Sequence, residues 1–287
     1  MDEKTGRFCG ADDAKLFYRY WHSENAKAAL VIIHGIGEHS QRYQNVVDIL
    51  VPQGYSVYTF DLRGHGRSSG QRGHISSWDQ YRADLATFVE FVREKQSGCP
   101  LYLFGHSMGS LIVLDRIIRN PKVFSGLIVS GAAIEPTGVA NPFLILVARV
   151  LSGLMPRYSL PLGIDISALS GDQNVLESYQ NDPLVHGRVT VRWGMESLRI
   201  IENIKKHLDC INIPTLILHG ARDTINDPHG SEYIFERISS EDKTLFIHPQ
   251  CHHELHNDVH YVTVIEIIKE WLDARTNRNV SYPNPVK

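Results

Sequence analysis

Six short apolar runs recur along the chain: ALVIIHG (29–35), YSVYTFD (55–61), PLYLFGH (100–106), GLIVSG (126–131), IPTLILHG (213–220) and KTLFIHP (243–249). Each is continuous rather than alternating, which predicts strands buried on both faces of a parallel sheet. Several of the stretches between them have a helical period instead. In WDQYRADLATFVEFVREK (78–95), Tyr81, Leu85, Phe88 and Val92 return at three- and four-residue spacing and make one apolar face. MGSLIVLDRIIRN (108–120) predicts a second helix, stopped at Asn120–Pro121, and DVHYVTVIEIIKEWLDAR (258–275) predicts a third. Upstream, KLFYRYWH (15–22) predicts an antiparallel edge strand. Strands alternating with helices define an α/β chain with a mostly parallel sheet and flanking helices.

One interval breaks the rhythm. From Ala132 to about His207 no sheet-like run occurs, and then IPTLILHG resumes the pattern. Such an interval predicts an excursion over one end of the sheet, here a helical cap. The expected organisation is therefore a core of residues 1–131 and 208–275, a cap of 132–207, and a polar, Pro-containing frayed tail at 276–287. With 287 residues and 43% hydrophobic content, one core with one insertion is in proportion. Within the cap, NPFLILVARVLSGLMP (141–156) is apolar around most of its circumference, with Arg149 its only charge. Two readings fit: a buried helix, or a lid whose exposed apolar face contacts membrane and admits an acyl chain.

Charge and cysteine content remove some alternatives. A net charge of −3 offers no electrostatic grip on nucleic acid. The N-terminal MDEKTGRFCG lacks an apolar signal core, and no run approaches the roughly 20 apolar residues of a membrane span, so the expectation is a cytoplasmic chain. Cys9, Cys99, Cys210 and Cys251 are scattered without C-x-x-C spacing, which suits reduced thiols.

The chemistry concentrates at the third apolar run. LFGHSMGSL (103–111) sets Ser107 between Gly105 and Gly109, directly after a predicted strand and directly before a predicted helix. G-x-S-x-G alone is weak, but strand–turn–helix is the setting of a nucleophile elbow, where a tight turn exposes the serine oxygen. A serine nucleophile needs a base and an orienting carboxylate, expected in the order Ser…Asp/Glu…His after later strands. ARDTIND offers Asp223, nearer the strand end, and Asp227; QCHHELH offers His252, His253 and His256. Spacing alone barely separates His252 from His253. A metal reading of this histidine group is disfavoured, because H-E-L-H is not H-E-x-x-H and lies in a loop; no metal or cofactor is expected. HGIGEH (34–39) supplies the close turn for an oxyanion hole, with the N–H groups of Ile36 and Met108 as donors. FDLRGHGRSSG (60–70) lacks G-x-G-x-x-G spacing and reads as a tight loop after a strand.

Taken together, HGIGEHSQRY, DLRGHGRSSGQRGH, GHSMGS, NDPLV, ILHGARDTIND and CHHELH resemble the monoacylglycerol lipases of the α/β-hydrolase superfamily, from about residue 5 to 275. The resemblance implies an eight-stranded, mostly parallel sheet with the cap inserted after the sixth strand. It implies Ser107 as nucleophile, Asp223 as orienting acid and His253 as base, with Ile36 and Met108 as oxyanion donors. It places Glu38, Arg42, Tyr179 and His256 around the glycerol end of the site, with His106 beside the nucleophile. The implied activity is cleavage of monoacylglycerols to fatty acid and glycerol through an acyl-enzyme, with peripheral membrane contact through the cap and no obligatory protein partner. A lysophospholipase or broader carboxylesterase is the alternative substrate class. Two further alternatives are a non-catalytic receptor or scaffold and a hydrolase-fold enzyme of another reaction type. His186 and Asn226 stand where vertebrate members carry cysteines, and Ile36 where a smaller residue is common; such departures suit a divergent member, a viral homologue among the options.

Overall fold

The computed structural model describes residues 2–137 and 142–276; of the expected tail at 276–287, Thr276 ends the last helix and the rest lies outside the described residues. The elements in chain order are β1 (Glu3–Cys9), β2 (Lys15–Trp21), β3 (Ala28–Ile33), α1 (Gln44–Leu50), β4 (Tyr55–Phe60), α2 (Asp79–Lys95), β5 (Leu101–His106), α3 (Met108–Arg119) and β6 (Gly126–Ser130). There follow α4 (Pro142–Leu154), β7 (Ser159–Pro161), α5 (Gln173–Asn181), β8 (Arg188–Thr190), α6 (Val191–Lys206), β9 (Thr215–Gly220), α7 (Pro228–Arg237), β10 (Lys243–His248) and α8 (Tyr261–Thr276). Eight strands form one sheet in the order β1-β2-β4-β3-β5-β6-β9-β10, parallel throughout except at β1–β2 and β2–β4. This is the α/β-hydrolase architecture.

The continuous apolar runs follow from that topology. Leu30, Ile32, Phe104 and Leu218 face the layer made by α1 and α8, against Val46, Leu50, Val264 and Ile268. Val31, Ile33, Leu103 and Val129 face the opposite layer, against Leu85, Phe88, Val113 and Ile117 of α2 and α3. A strand covered on both sides has no polar position to alternate with.

Three expectations need correction. β2 is not the edge strand, because β1 pairs with it from Glu3–Trp21 to Cys9–Lys15. As an edge strand with several exposed side chains, EKTGRFC shows no apolar run to read. The interval 132–207 is not purely helical: β7 and β8 pair as a small antiparallel ribbon, each strand three residues long. The last helix begins three residues later than expected. Asp258 is drawn out of it, its carboxylate accepting from Gly171 N at 2.8 Å, His252 N at 2.5 Å and Val259 N at 2.7 Å.

The excursion leaves after β6 and returns before β9, which are neighbours in the sheet. It stands over the C-terminal ends of β3, β5 and β9, where the loops carrying the candidate site emerge. On α4, Leu146, Val150 and Leu154 are exposed, Leu154 to 76%. Among the described residues no helix is long and apolar enough to cross a membrane, and the four cysteines are free.

Candidate active site

β5 ends at His106 and α3 starts at Met108, so Ser107 alone makes the turn, at φ 51° and ψ −121°. A non-glycine residue at positive φ is strained and persists only where its surroundings enforce it. Here the Ser107 N–H donates to Ser130 O at 2.9 Å, and the Ser107 carbonyl accepts from Ser110 N at 2.9 Å and Ser110 Oγ at 2.5 Å. The flanking glycines are needed for close approach. A Cβ on Gly109 would stand 2.1 Å from Ile33 O; one on Gly105 would stand 2.4 Å from Val113 Cγ2 and 2.5 Å from Gly109 O. The helix can therefore rise from the sheet within one residue only if both positions lack a side chain.

The loop after β9 aims Asp223 back over the sheet. Its Oδ1 accepts from Ile225 N at 2.8 Å and Asn226 N at 3.0 Å, and its Oδ2 lies 2.7 Å from His253 Nδ1. Asp227 is used differently: it caps α7 by accepting from His229 N. His252 points elsewhere, its Nδ1 3.0 Å from Asp258 Oδ2. The geometry thus brings Asp223 and His253 together and leaves Asp227 and His252 in structural roles. Burial opposes ionisation of Asp223, but the facing His253 and the hydrogen bonds of His219 and His253 overcome it, holding the carboxyl far below its ordinary range. Burial likewise opposes a charged His253, and Asp223 outweighs it, raising the imidazole above its ordinary value.

His219 was not singled out from the sequence. Its Nε2 lies 3.0 Å from the same Asp223 Oδ2, and its Nδ1 lies 2.6 Å from Ser231 Oγ, with both residues fully buried. An ionised carboxylate only accepts, so both imidazoles donate to it, and the Ser231 hydroxyl, which can donate or accept, holds the other nitrogen of His219. The available signal was its position, the last strand residue before Gly220 and four before Asp223.

Two cavities meet at Ser107. The larger, about 390 Å³, is lined mostly by apolar side chains: Ile36, Met108 and Leu111 from the core, Leu162, Trp193 and Leu198 from the cap. Asn226 also lines it, its amide donating to Gly131 O at 2.9 Å. The smaller, only about 10 Å³, is lined by Gly35, Ile36, Glu38, His106, Ser107, Tyr179, His253 and Glu254 among others. Ile36 borders both, in a turn held by the Gly35 N–H donating to Glu38 Oε1 at 2.5 Å and by Gly37 at φ 80°. Met108 is the first residue of α3, where backbone N–H groups have no intrahelical partner. A wider open cleft of about 720 Å³ is lined by Arg42 with Gln41, Asn174 and Asp182 among its polar groups and Val175, Pro183 and Leu184 as its apolar ones.

The smaller cavity is backed by a buried polar group. Arg42 donates through Nη2 to Glu254 Oε2, its Nε stands 3.5 Å from Glu38 Oε2, and its guanidinium lies 4.7 Å from the Tyr179 ring centroid. Tyr43 donates to Glu38 Oε1 at 2.9 Å. The His256 ring stacks on Tyr43 at 4.4 Å and meets the edge of His106 at 4.9 Å. Burial holds His256 down to about 4 and His106 well below its ordinary value, so both are neutral. Glu38, Arg42, Tyr179, His256 and His106 are thus brought together as one wall. Glu254, not singled out from the sequence, completes it.

Fold and elbow together define an α/β-hydrolase. The chain belongs to the family described as Hydrolase_4, serine aminopeptidase, S33, whose model matches residues 24–260. It is 33% identical over 275 residues to the monoglyceride lipase of Homo sapiens, covering 93% of this chain and 89% of that one. It is 30% identical to the monoglyceride lipase homolog of Monkeypox virus, covering 92% and 96% of the two chains. Among solved structures, the monoacylglycerol lipase of Paleococcus ferrophilus superposes with a TM-score of 0.82 at 30% identity, covering 96% of this chain and 100% of that one.

Proposed function

We propose that this chain is a serine hydrolase that cleaves monoacylglycerols to fatty acid and glycerol. The observation that carries the reading is the Asp223–His253 contact beside an elbow serine that lies between an apolar and a polar cavity. The acyl chain occupies the apolar cavity and the glycerol faces Glu38, Arg42, Tyr179 and His256. Ser107 Oγ attacks the ester carbonyl as His253 Nε2 takes its proton, and the N–H groups of Ile36 and Met108 receive the developing oxyanion. His253 then returns the proton to the departing glycerol oxygen. Water, deprotonated by the same imidazole, releases the fatty acid from the acyl-enzyme. A fluorophosphonate label on Ser107, together with turnover of a monoacylglycerol, tests the reading; a chain that neither labels nor turns over is a scaffold. Comparable rates on a lysophospholipid would favour the broader esterase.

The base assignment has its own test. His253→Ala should abolish activity, whereas His252→Ala should reduce it modestly, by loosening the Asp258 anchor. Loss of all activity in a folded His252→Ala protein would reverse the assignment.

We further propose that residues 132–207 act as a cap domain on the core 1–131 and 208–275, and that α4 rests on lipid surfaces of a cytoplasmic membrane face. The exposure of Leu146, Val150 and Leu154 supports the lid reading over a buried helix. Each leucine-sized side chain buried in lipid contributes about 1.5–3 kcal/mol. Val150→Glu with Leu154→Glu should therefore weaken vesicle binding at least roughly tenfold and depress activity on aggregated lipid. Hydrolysis of a short water-soluble ester and the melting temperature should hold. A collapsed melting temperature with loss of both activities would mean that α4 is core.

A further inference from the structure

We propose that the buried polar wall beside Ser107 selects uncharged leaving alcohols over anionic ones, and that Glu254 imposes this by sharing the one guanidinium of Arg42 with Glu38. The inference rests on the reading above that the alcohol lies on this side of Ser107.

The argument starts from a count of charges. Glu38 and Glu254 both line the cavity and are each 3% exposed, and Arg42 is the cation that contacts them. Its better contact is with Glu254, whose Oε2 also accepts from Asn257 Nδ2 at 3.0 Å. Glu38 is left with the poorer share. Its Oε1 accepts from Gly35 N and Tyr43 Oη, while its Oε2 is buried without a hydrogen-bond partner. The other titratable groups around the cavity do not restore the balance. From β5 comes His106, neutral; from the last loop come His256, neutral, and His253, whose charge is matched by Asp223. From the cap come Tyr179, a phenol pushed up to about 12 by burial and by Glu254 and Glu38, and Asp182, a further carboxylate hydrogen-bonded to His39, whose own pKa burial lowers. With both carboxylates ionised the wall therefore carries at least one uncompensated negative charge.

Such a wall sheds its excess charge by keeping a proton. Burial and then Glu254 push Glu38 up to about 7, against the pull of Arg42, while Arg42 holds Glu254 below its ordinary value against burial. An uncharged alcohol tolerates either state of Glu38. An anionic one, placed within a few ångströms of these buried carboxylates, requires the protonated state. Above neutrality, holding that proton becomes tenfold less favourable per pH unit.

The test compares two nearly isosteric substrates, the decanoyl esters of ethylene glycol and of glycolic acid, the second anionic from about pH 6 to pH 8. The quantity read is the ratio of kcat/KM for the neutral ester to that for the anionic one, because titration of His253 acts on both and cancels. In the wild-type protein the ratio should rise about tenfold between those pH values. In Glu254→Gln, Arg42 serves Glu38 alone, the charges balance and the ratio should be flat. A flat ratio in the wild-type protein, or an equal rise in the variant, overturns the proposal; the wild-type measurement decides alone if the variant does not fold. Absence of turnover of either ester by the wild-type protein would instead sink the hydrolase reading, and this inference with it.

Discussion

Asp223→Asn is expected to lower kcat by about 10⁴ while leaving the fold intact. The reason lies in how four donors are distributed around the carboxylate. Oδ1 receives two backbone N–H groups, from Ile225 and Asn226, and Oδ2 faces His253 and His219. An asparagine must put its one oxygen toward the backbone donors, which cannot turn away. Its NH₂ then faces the two imidazoles, donor against donor. His253 is forced to present Nδ1 as an acceptor and carries its proton on Nε2, where it cannot deprotonate Ser107. The pH profile supplies a second readout. Asp223 raises His253, and the base must be neutral, so wild-type kcat/KM should fall as pH drops through a value above the ordinary histidine pKa. In the asparagine variant that limb should move to lower pH. Ser107→Ala should abolish turnover and labelling without a change in melting temperature, since alanine meets the same backbone strain. If Asp227→Asn proves the damaging change and Asp223→Asn is mild, the acid is misassigned.

Gly109→Ala is expected to be the most destabilising single-methyl change at the site. The added carbon would stand 2.1 Å from Ile33 O and 2.7 Å from His34 O, both backbone atoms. No rotamer can relieve that contact, so either β3 or the start of α3 must move. A loss of about 3 kcal/mol or more follows, a fall in melting temperature of roughly 6–12 °C. Residual activity in the folded fraction should also fall, because the displacement moves Met108 N–H and Ser107 together. A melting temperature unchanged in Gly109→Ala would show that the elbow has slack that this packing does not allow.

The sheet was legible because its strands are buried twice over: VII in β3 or LFG in β5 leave no doubt about environment. What escaped was whatever lacks that double burial. β1 pairs through its backbone and exposes much of its side-chain surface, so its residues carry no apolar run. The β7–β8 ribbon is too short to show a period. At the site, Ser107 was legible because its chemistry forces two glycines beside it. The choice between His252 and His253 was not, since adjacent residues differ only in which way the loop faces them, and it is the contact with Asp258 that turns His252 aside. His219 and Glu254 act through partners 4 and 212 residues away in the chain, at Asp223 and Arg42. Of these, the second pairing leaves no local trace at all.

The pairing of β6 with β9 also has a kinetic side. Ser130 and Leu218 are register partners, yet they lie roughly ninety residues apart because the excursion between β6 and β9 intervenes. Relative to a crossover of about thirty residues, closing this longer loop adds only about 1 kcal/mol of chain entropy. The equilibrium penalty of carrying this excursion is therefore small, and insertions of quite different length can hang from the same two strands. The burden falls on folding rate, which drops as contacts become less local. Ser107 precedes the insertion, whereas Asp223 and His253 follow it. Recovery of activity on refolding should thus coincide with the docking of β9 on β6, and should lag behind the formation of α2 and α3.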